Sequence, residues 1–357
     1  MRTFQRTVVL AALTAIAAVV VVGCQSVHTT SAKLRNQEGN YDMAIDLCRK
    51  ALAENPADAE AYFQMGVAYS YLDSVGLAYD AFSKTIELDP KRKRDVDNNV
   101  QHNFAKHYKL GQSAFNRNDF QGAAEEFSLA ADADPTQAVA YYNLGVAYSR
   151  LAKDDPSYHD KAIEVLDIVL EISNPNESSY IKALQVAGKE LVAAGRTEEA
   201  KERFRRLIDE DPTSYDVIEG IGNEMLAAEE WEGAAVFLKM AAEARAKIDA
   251  EDFSVYYNIG ASLFNLRKEQ EGAIDEAIIY YEKALVIEPD EPQTVFNIVV
   301  AYVSKEHWAD AVDWGEKYVS LAPDESNGWR LLARSYSEMG EKDKARTAMT
   351  RFEELRQ

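Results

Sequence analysis

Apolar positions along this chain fall at helix spacing, and they return in the same order. Tyr62, Met65, Gly66 and Tyr69 are separated by the same steps as Tyr141, Leu144, Gly145 and Tyr148. Those steps place all four side chains on one face of a helix with about 3.6 residues per turn. The phrases around them read YFQMGVAYS at 62–70, YYNLGVAYS at 141–149 and YYNIGASLF at 256–264. After each phrase comes a second helical stretch that stops at a proline: Pro90, Pro175 or Pro289. Proline lacks the N–H that a continuing helix needs, so it marks the stop. The chain therefore reads as helix, turn, helix, stop, with a period of about 34 residues.

Nine such frames can be laid along the sequence. The first is partial, represented by Ala44, Cys48, Ala51 and Pro56. The next six carry Gly66, Gly111, Gly145, Gly188, Gly222 and Gly260 on their first helices, where a small residue lets the second helix approach. The last two are marked by Ile298 and Tyr302, then Trp329, Leu332 and Tyr336. Leu110 in the third frame, and Met349 and Phe352 in the ninth, are expected among the core positions. An aromatic, Leu-Gly and Tyr on one helix, then Ala, Phe, Ala and Pro on the next, resembles the tetratricopeptide repeat. The resemblance covers nearly all of the chain after Cys24. It implies an all-α fold, a right-handed α-solenoid of about nine helix-turn-helix units over residues 32–357.

Departures from the period carry their own information. Residues 91–103 (KRKRDVDNNVQHN) insert about 11 residues after the second frame and contain no proline or glycine, so they are expected to lengthen the next helix at its start. Frames four and seven have about five extra residues between their helices, near 152–159 and 267–274. Frame six lacks the closing proline, and its second helix is expected to run on through Ala241–Lys247. Insertions in repeat arrays fall in loops that drift freely or bear function; both readings stand here. Phe352 replaces the usual small residue, either folding over the edge of the array or offering a docking point.

A chain of 357 residues would ordinarily form two or three globular domains. Repeats evade that count because each unit packs on its neighbours. Apolar residues make up 47%, enough for a continuous core, and 9 prolines with 17 glycines argue against extensive disorder. Acidic side chains outnumber basic ones 60 to 39, for a net charge of −21. This excludes nucleic acid as an expected partner, since phosphate binding needs clustered Lys and Arg. The acidity fits either a solvated surface or a preference for basic partner segments. Lys91-Arg92-Lys93-Arg94 is the one dense basic run. It is read as a solvated helix start balanced by Asp95 and Asp97, or as a contact for anionic lipid or an acidic partner.

The first residues are of another kind. Arg2 and Arg6 precede Val8–Val22, an uncharged run rich in Ala and Val. A basic start, an apolar stretch and small residues at its end read as an export signal. The run is short of the roughly 20 apolar residues of a spanning helix. Val21-Val22-Gly23-Cys24 resembles the lipobox of bacterial lipoproteins, with Val21 in place of the usual leucine. The resemblance implies a signal peptide at 1–23, acylation of Cys24, and a short tether over 24–31. Two or three acyl chains anchor stably where one is marginal. It also implies a cell-envelope location on the periplasmic face, and Gln25, not Asp, favours the outer over the inner membrane. Cys48 lies on an apolar helical position and is read as a small buried side chain. Two cysteines make no disulfide framework or zinc pattern.

Neither a phosphate loop, a nucleophile elbow nor an H-E-x-x-H motif occurs. His28, His102, His107, His159 and His307 are scattered, and His102 and His107 do not share a helix face. No catalytic site, metal or cofactor is expected. In tetratricopeptide proteins the first helices line a groove, and ligands touch unit positions 2, 5, 6, 9, 12 and 13. Position 5 is Phe63, Tyr108, Tyr142, Gln185, Glu219, Tyr257, Phe296 and Arg330. Position 6 includes Asn143, Asn258 and Asn297, whose amides can donate and accept to a peptide backbone. Such a row suits an extended or helical peptide; it also belongs to the family's average sequence and serves repeat folding. The expected function is a lipid-anchored, non-catalytic scaffold or adaptor binding other proteins. The competing readings are a structural spacer, or an accessory subunit of an envelope enzyme, secretion, pilus or outer-membrane assembly complex.

Overall fold

The computed structural model describes residues 26–175 and 177–356. Cys24 and the segment 1–23 lie outside the described residues. The described chain is helical and divides into two compact units, one ending at Ser173 and the other starting at Asn174.

The first unit holds four helix pairs: α1 (Val27–Gln37) with α2 (Tyr41–Glu54), α3 (Ala59–Tyr71) with α4 (Val75–Leu88), α5 (Lys93–Asn116) with α6 (Phe120–Ala133), and α7 (Ala138–Leu151) with α8 (Tyr158–Ile172). The second holds five: α9 (Ser178–Ala193) with α10 (Thr197–Glu210), α11 (Tyr215–Ala227) with α12 (Trp231–Ala246), α13 (Phe253–Leu266) with α14 (Ala273–Ile287), α15 (Pro292–Ser304) with α16 (Trp308–Leu321), and α17 (Ser326–Glu338) with α18 (Lys342–Glu354). Within each unit the second helix of most pairs also packs on the first helix of the next, giving a stack.

Local chemistry sets the ends. Asn55, Asp89, Asp134, Asp211, Glu288 and Ala322 each precede a proline and leave the helix with φ between −149° and −123°. The following ring clashes with an α-conformation at that residue, so each second helix stops there. Asp58, Asp119 and Asp252 then accept hydrogen bonds from the free N–H groups that open α3, α6 and α13. Inside seven pairs the turn passes through one left-handed residue at unit position 15: Gly39, Asp73, Asn118, Gly195, Glu229, Glu306 and Gly340. The other two pairs have the longer connections 152–157 and 267–272 instead.

Packing inside six of the nine pairs rests on one contact. Glycine at unit position 8 faces a large side chain on the second helix. A Cβ added at Gly66 or Gly111 would lie 2.7 Å from Phe82 or Phe127, at Gly145 2.7 Å from Leu166, at Gly222 2.6 Å from Leu238, and at Gly260 2.7 Å from Tyr281. Gly188 meets Phe204 in the same way. All of these large side chains are essentially fully buried.

Several expectations are met, and three are corrected. The insertion does lengthen α5, which has 24 residues. The connections in frames four and seven are longer, and α12 runs on to Ala246. The first frame, however, is complete: α1 supplies the missing helix, burying Thr29 and Ala32. Helix thus begins at Val27, inside the segment read as tether. Leu110 is not core but 46% exposed. The buried line of α5 runs through Val96, Asn103, His107, Gly111 and Ala114, and α4 packs less extensively on α5 than α6 does on α7, leaving that flank open. Met349 is also exposed, because α18 turns Ala348 and Phe352 inward. Phe352 is buried, with the Arg356 guanidinium 5.4 Å over its ring; of its two readings, it folds in.

Gly111→Val should lower the urea midpoint by the equivalent of about 1–3 kcal/mol, the usual cost of overpacking. Gly220→Ala, where an added Cβ meets nothing within 4 Å, should raise stability by about 0.5–1 kcal/mol through better helix propensity. Equal shifts in both would refute the packing argument. Cys48 is buried, and burial, with the Asp58 carboxylate, pushes its thiol up to about 12. In a Cys24→Ala background, Ellman's reagent should therefore find no reactive thiol until the protein is unfolded.

Candidate functional site

The position-5 side chains on the first helices are mostly half-buried, because their own repeats use them. In the first unit Phe63 packs on Phe82 at 5.7 Å between ring centres. Tyr108 packs on Phe127 at the same separation and stacks on Phe104 at 5.4 Å. Tyr142 is half-buried, and burial raises its phenol above the usual range. In the second unit Tyr257 packs on Tyr281 and stacks on Phe253. Phe296 packs on Tyr318 at 5.0 Å. Gln185 donates to the Ser214 hydroxyl at 2.9 Å. Arg330 is exposed.

The position-6 asparagines bridge repeats. Asn143 donates to the Tyr108 hydroxyl at 3.1 Å, Asn258 to the Asn223 side-chain oxygen at 3.0 Å, and Asn297 to the Tyr257 hydroxyl at 3.3 Å. Each amide thus ties its first helix to the preceding first helix. A peptide backbone would have to share these groups with the stack.

Two arginines occupy the same face from inside the chain. Arg92 lies with its guanidinium 3.9 Å from the Phe63 ring centre and pairs with Glu60, at unit positions 5 and 2 of the second frame. It comes from the basic run 91–94. Lys93 from that run pairs with Asp97 at 2.7 Å. Arg245 lies 4.1 Å from the Tyr215 ring centre, pairs with Glu219 at 2.8 Å, and donates to the Ala250 carbonyl at 3.0 Å. Arg245 is available because α12 overruns its frame. Both ion pairs are largely shielded from solvent, and a cation over an aromatic face gains further from that shielding.

One stretch of this face stays open. Between α9 and α11 lies a cleft of about 620 Å³. Val192, Val217, Ile221 and Met225 form its apolar surface, and Lys189, Asp216, Glu224 and Glu230 its charged surface. Gly220 stands at position 6, where frames four, seven and eight carry asparagine. With no side chain there, no amide crosses to α9. Sequence reasoning missed this cleft; its signal was the glycine at a position that elsewhere holds Asn.

Among the described residues no group of three or more His, Cys, Asp or Glu is placed to hold a metal ion. His107 is buried, 2.8 Å from Glu126 and 3.7 Å from Asp73, whereas His102 is exposed. No helix among the described residues is long and apolar enough to cross a membrane.

Models described as tetratricopeptide repeat match residues 59–92, 108–177, 179–214 and 330–355. The BBSome complex member BBS4 homolog of Drosophila melanogaster is 22% identical over 326 residues, 88% of this chain and 61% of that protein. DnaJ homolog subfamily C member 3 of Rattus norvegicus is 22% identical over 210 residues, 55% of this chain and 38% of that protein. The chain thus spans less than two thirds of either relative. Among solved structures, Pseudomonas aeruginosa pilF is 17% identical, covering 62% of this chain and 92% of its own at a TM-score of 0.33. YrrB, described as a TPR protein with an unusual peptide-binding site, is 24% identical, covering 58% and 98% at a TM-score of 0.33. The helix pairs, the glycine contacts within them and the four matched segments together show that this chain carries tetratricopeptide repeats.

Proposed function

We propose that this chain is a non-catalytic scaffold that binds other proteins while tethered to a membrane of the bacterial envelope through acylated Cys24, the outer membrane being favoured. The observation that carries the scaffold is the assignment of all eighteen described α-helices to repeat pairs. In each of the two units the first helices carry half-buried aromatics, and in the second unit they also carry an exposed arginine and an open cleft. Support for the anchor lies in the sequence: Arg2 and Arg6, the apolar run Val8–Val22, and Cys24 behind two valines and a glycine. Confining such a face to a surface raises the effective concentration of whatever it binds there.

A spacer with no ligand on this face has one observation in its favour. The asparagine bridges and the two arginines satisfy, within the chain, several of the groups a peptide would use.

A photo-crosslinking residue placed at Tyr142 or Arg330 should give discrete crosslinked products in cells. The same probe at Leu88, exposed on a second helix, should not. Equal crosslinking from all three sites, or none from any, would favour the spacer. For the anchor, Cys24→Ala should abolish incorporation of labelled palmitate and release the protein from the membrane fraction. Undiminished labelling in that variant would rule the acylation site out.

A further inference from the structure

The cleft between α9 and α11 departs from the rest of the repeat face, and its departure has a chemical direction. Where position 6 is asparagine, an amide spans adjacent first helices. Gly220 removes that span and leaves about 620 Å³ open, within the range of sites that enclose a ligand group. The apolar wall of Val192, Val217, Ile221 and Met225 would cover an alkyl stem. Three carboxylates, Asp216, Glu224 and Glu230, line the cleft alongside one ammonium, Lys189. Among the described residues none of these four charges is engaged in an ion pair.

We propose that this cleft takes the side chain of an arginine or lysine from an extended segment of the partner. The proposal rests on the scaffold reading and specifies its partner's chemistry. A basic side chain is the one type that meets both surfaces: its methylenes lie along the apolar wall while its head reaches the carboxylates. A purely apolar side chain would strip water from those carboxylates without return. An acidic one would meet three carboxylates of like charge against a single ammonium. The chain's net charge of −21 also draws basic segments toward it, an effect that added salt screens.

The test uses the full chain and fluorescence anisotropy with three labelled peptides: alternating Arg and Leu, the same with each Arg replaced by citrulline, and the same with Glu. The arginine peptide should bind, more weakly as salt rises, and the citrulline peptide should bind about tenfold more weakly, since the shape is kept and the charge removed. Gly220→Asn places in the cleft the residue found at this position in other repeats, and nothing lies within 4 Å of the added Cβ. It should weaken the arginine peptide about tenfold while leaving the thermal midpoint close to that of the parent. Glu224→Lys should weaken the arginine peptide and strengthen the glutamate one. Failure of the arginine peptide to bind, equal binding of arginine and citrulline peptides, or unchanged binding by Gly220→Asn would overturn the assignment. If that happens while crosslinking at Tyr142 or Arg330 persists, the cleft is wrong and the scaffold stands. Loss of both removes the scaffold as well.

Discussion

Everything in this chain depends on how closely two helices of a pair can approach. Glycine at unit position 8 opens a hollow on the first helix, and a phenylalanine, leucine or tyrosine from the second fills it. Interiors are packed at crystal-like density, so neither partner can change size alone. In four pairs the two residues are 16 apart, from Gly66 and Phe82 to Gly222 and Leu238. In the two pairs with longer connections they are 21 apart, Gly145 with Leu166 and Gly260 with Tyr281. The extra residues are carried by the loop and the contact is kept. The eighth pair differs: Val299 is the buried residue at position 8, and Gly315, where the others have the large side chain, meets Leu332 of the ninth pair instead. Small against large thus recurs in six of the nine pairs, with the small residue on the first helix.

The same economy shapes the outer face. A position-5 aromatic that packs on the core ring behind it is half-buried, as Tyr108 is on Phe127 and Tyr257 on Tyr281. Its hydroxyl stays at the surface, where the next asparagine reaches it. The family-average residues of this face consequently serve the stack first. What distinguishes one stretch of face from another is what departs from the average: Arg92 and Arg245 folding back over Phe63 and Tyr215, and Gly220 leaving a gap.

Much of this was legible in the sequence because helical periodicity and proline stops act locally. The buried line of a first helix can be read off Tyr256, Ile259 and Gly260, and its partner's end off Glu288-Pro289. The long α5 and the overrun of α12 followed from a missing glycine or proline. Reading failed where burial depends on a neighbour. Leu110 has the right spacing for the core, yet its flank lies open. Met349 has the right register, yet α18 turns Phe352 inward instead. The first helix was overlooked because Thr29 and Ala32 are small and weakly apolar, and so give a faint periodic signal.

By itself, the sequence determined the unit: its length, its two helices, its turn and the sizes that must meet inside it, since each is set by residues within about one period of each other. Tertiary structure decided which polar and aromatic groups of the face are already engaged. Asn143, Asn258 and Asn297 look equally available in the sequence, and so does the basic run at Lys91–Arg94. Their bonding partners lie in another helix, and hydrogen bonds and ion pairs require distances that only packing fixes. The cleft at Gly220 is the plainest instance, a space made by a side chain that is absent and bounded by two helices more than a turn apart in the chain.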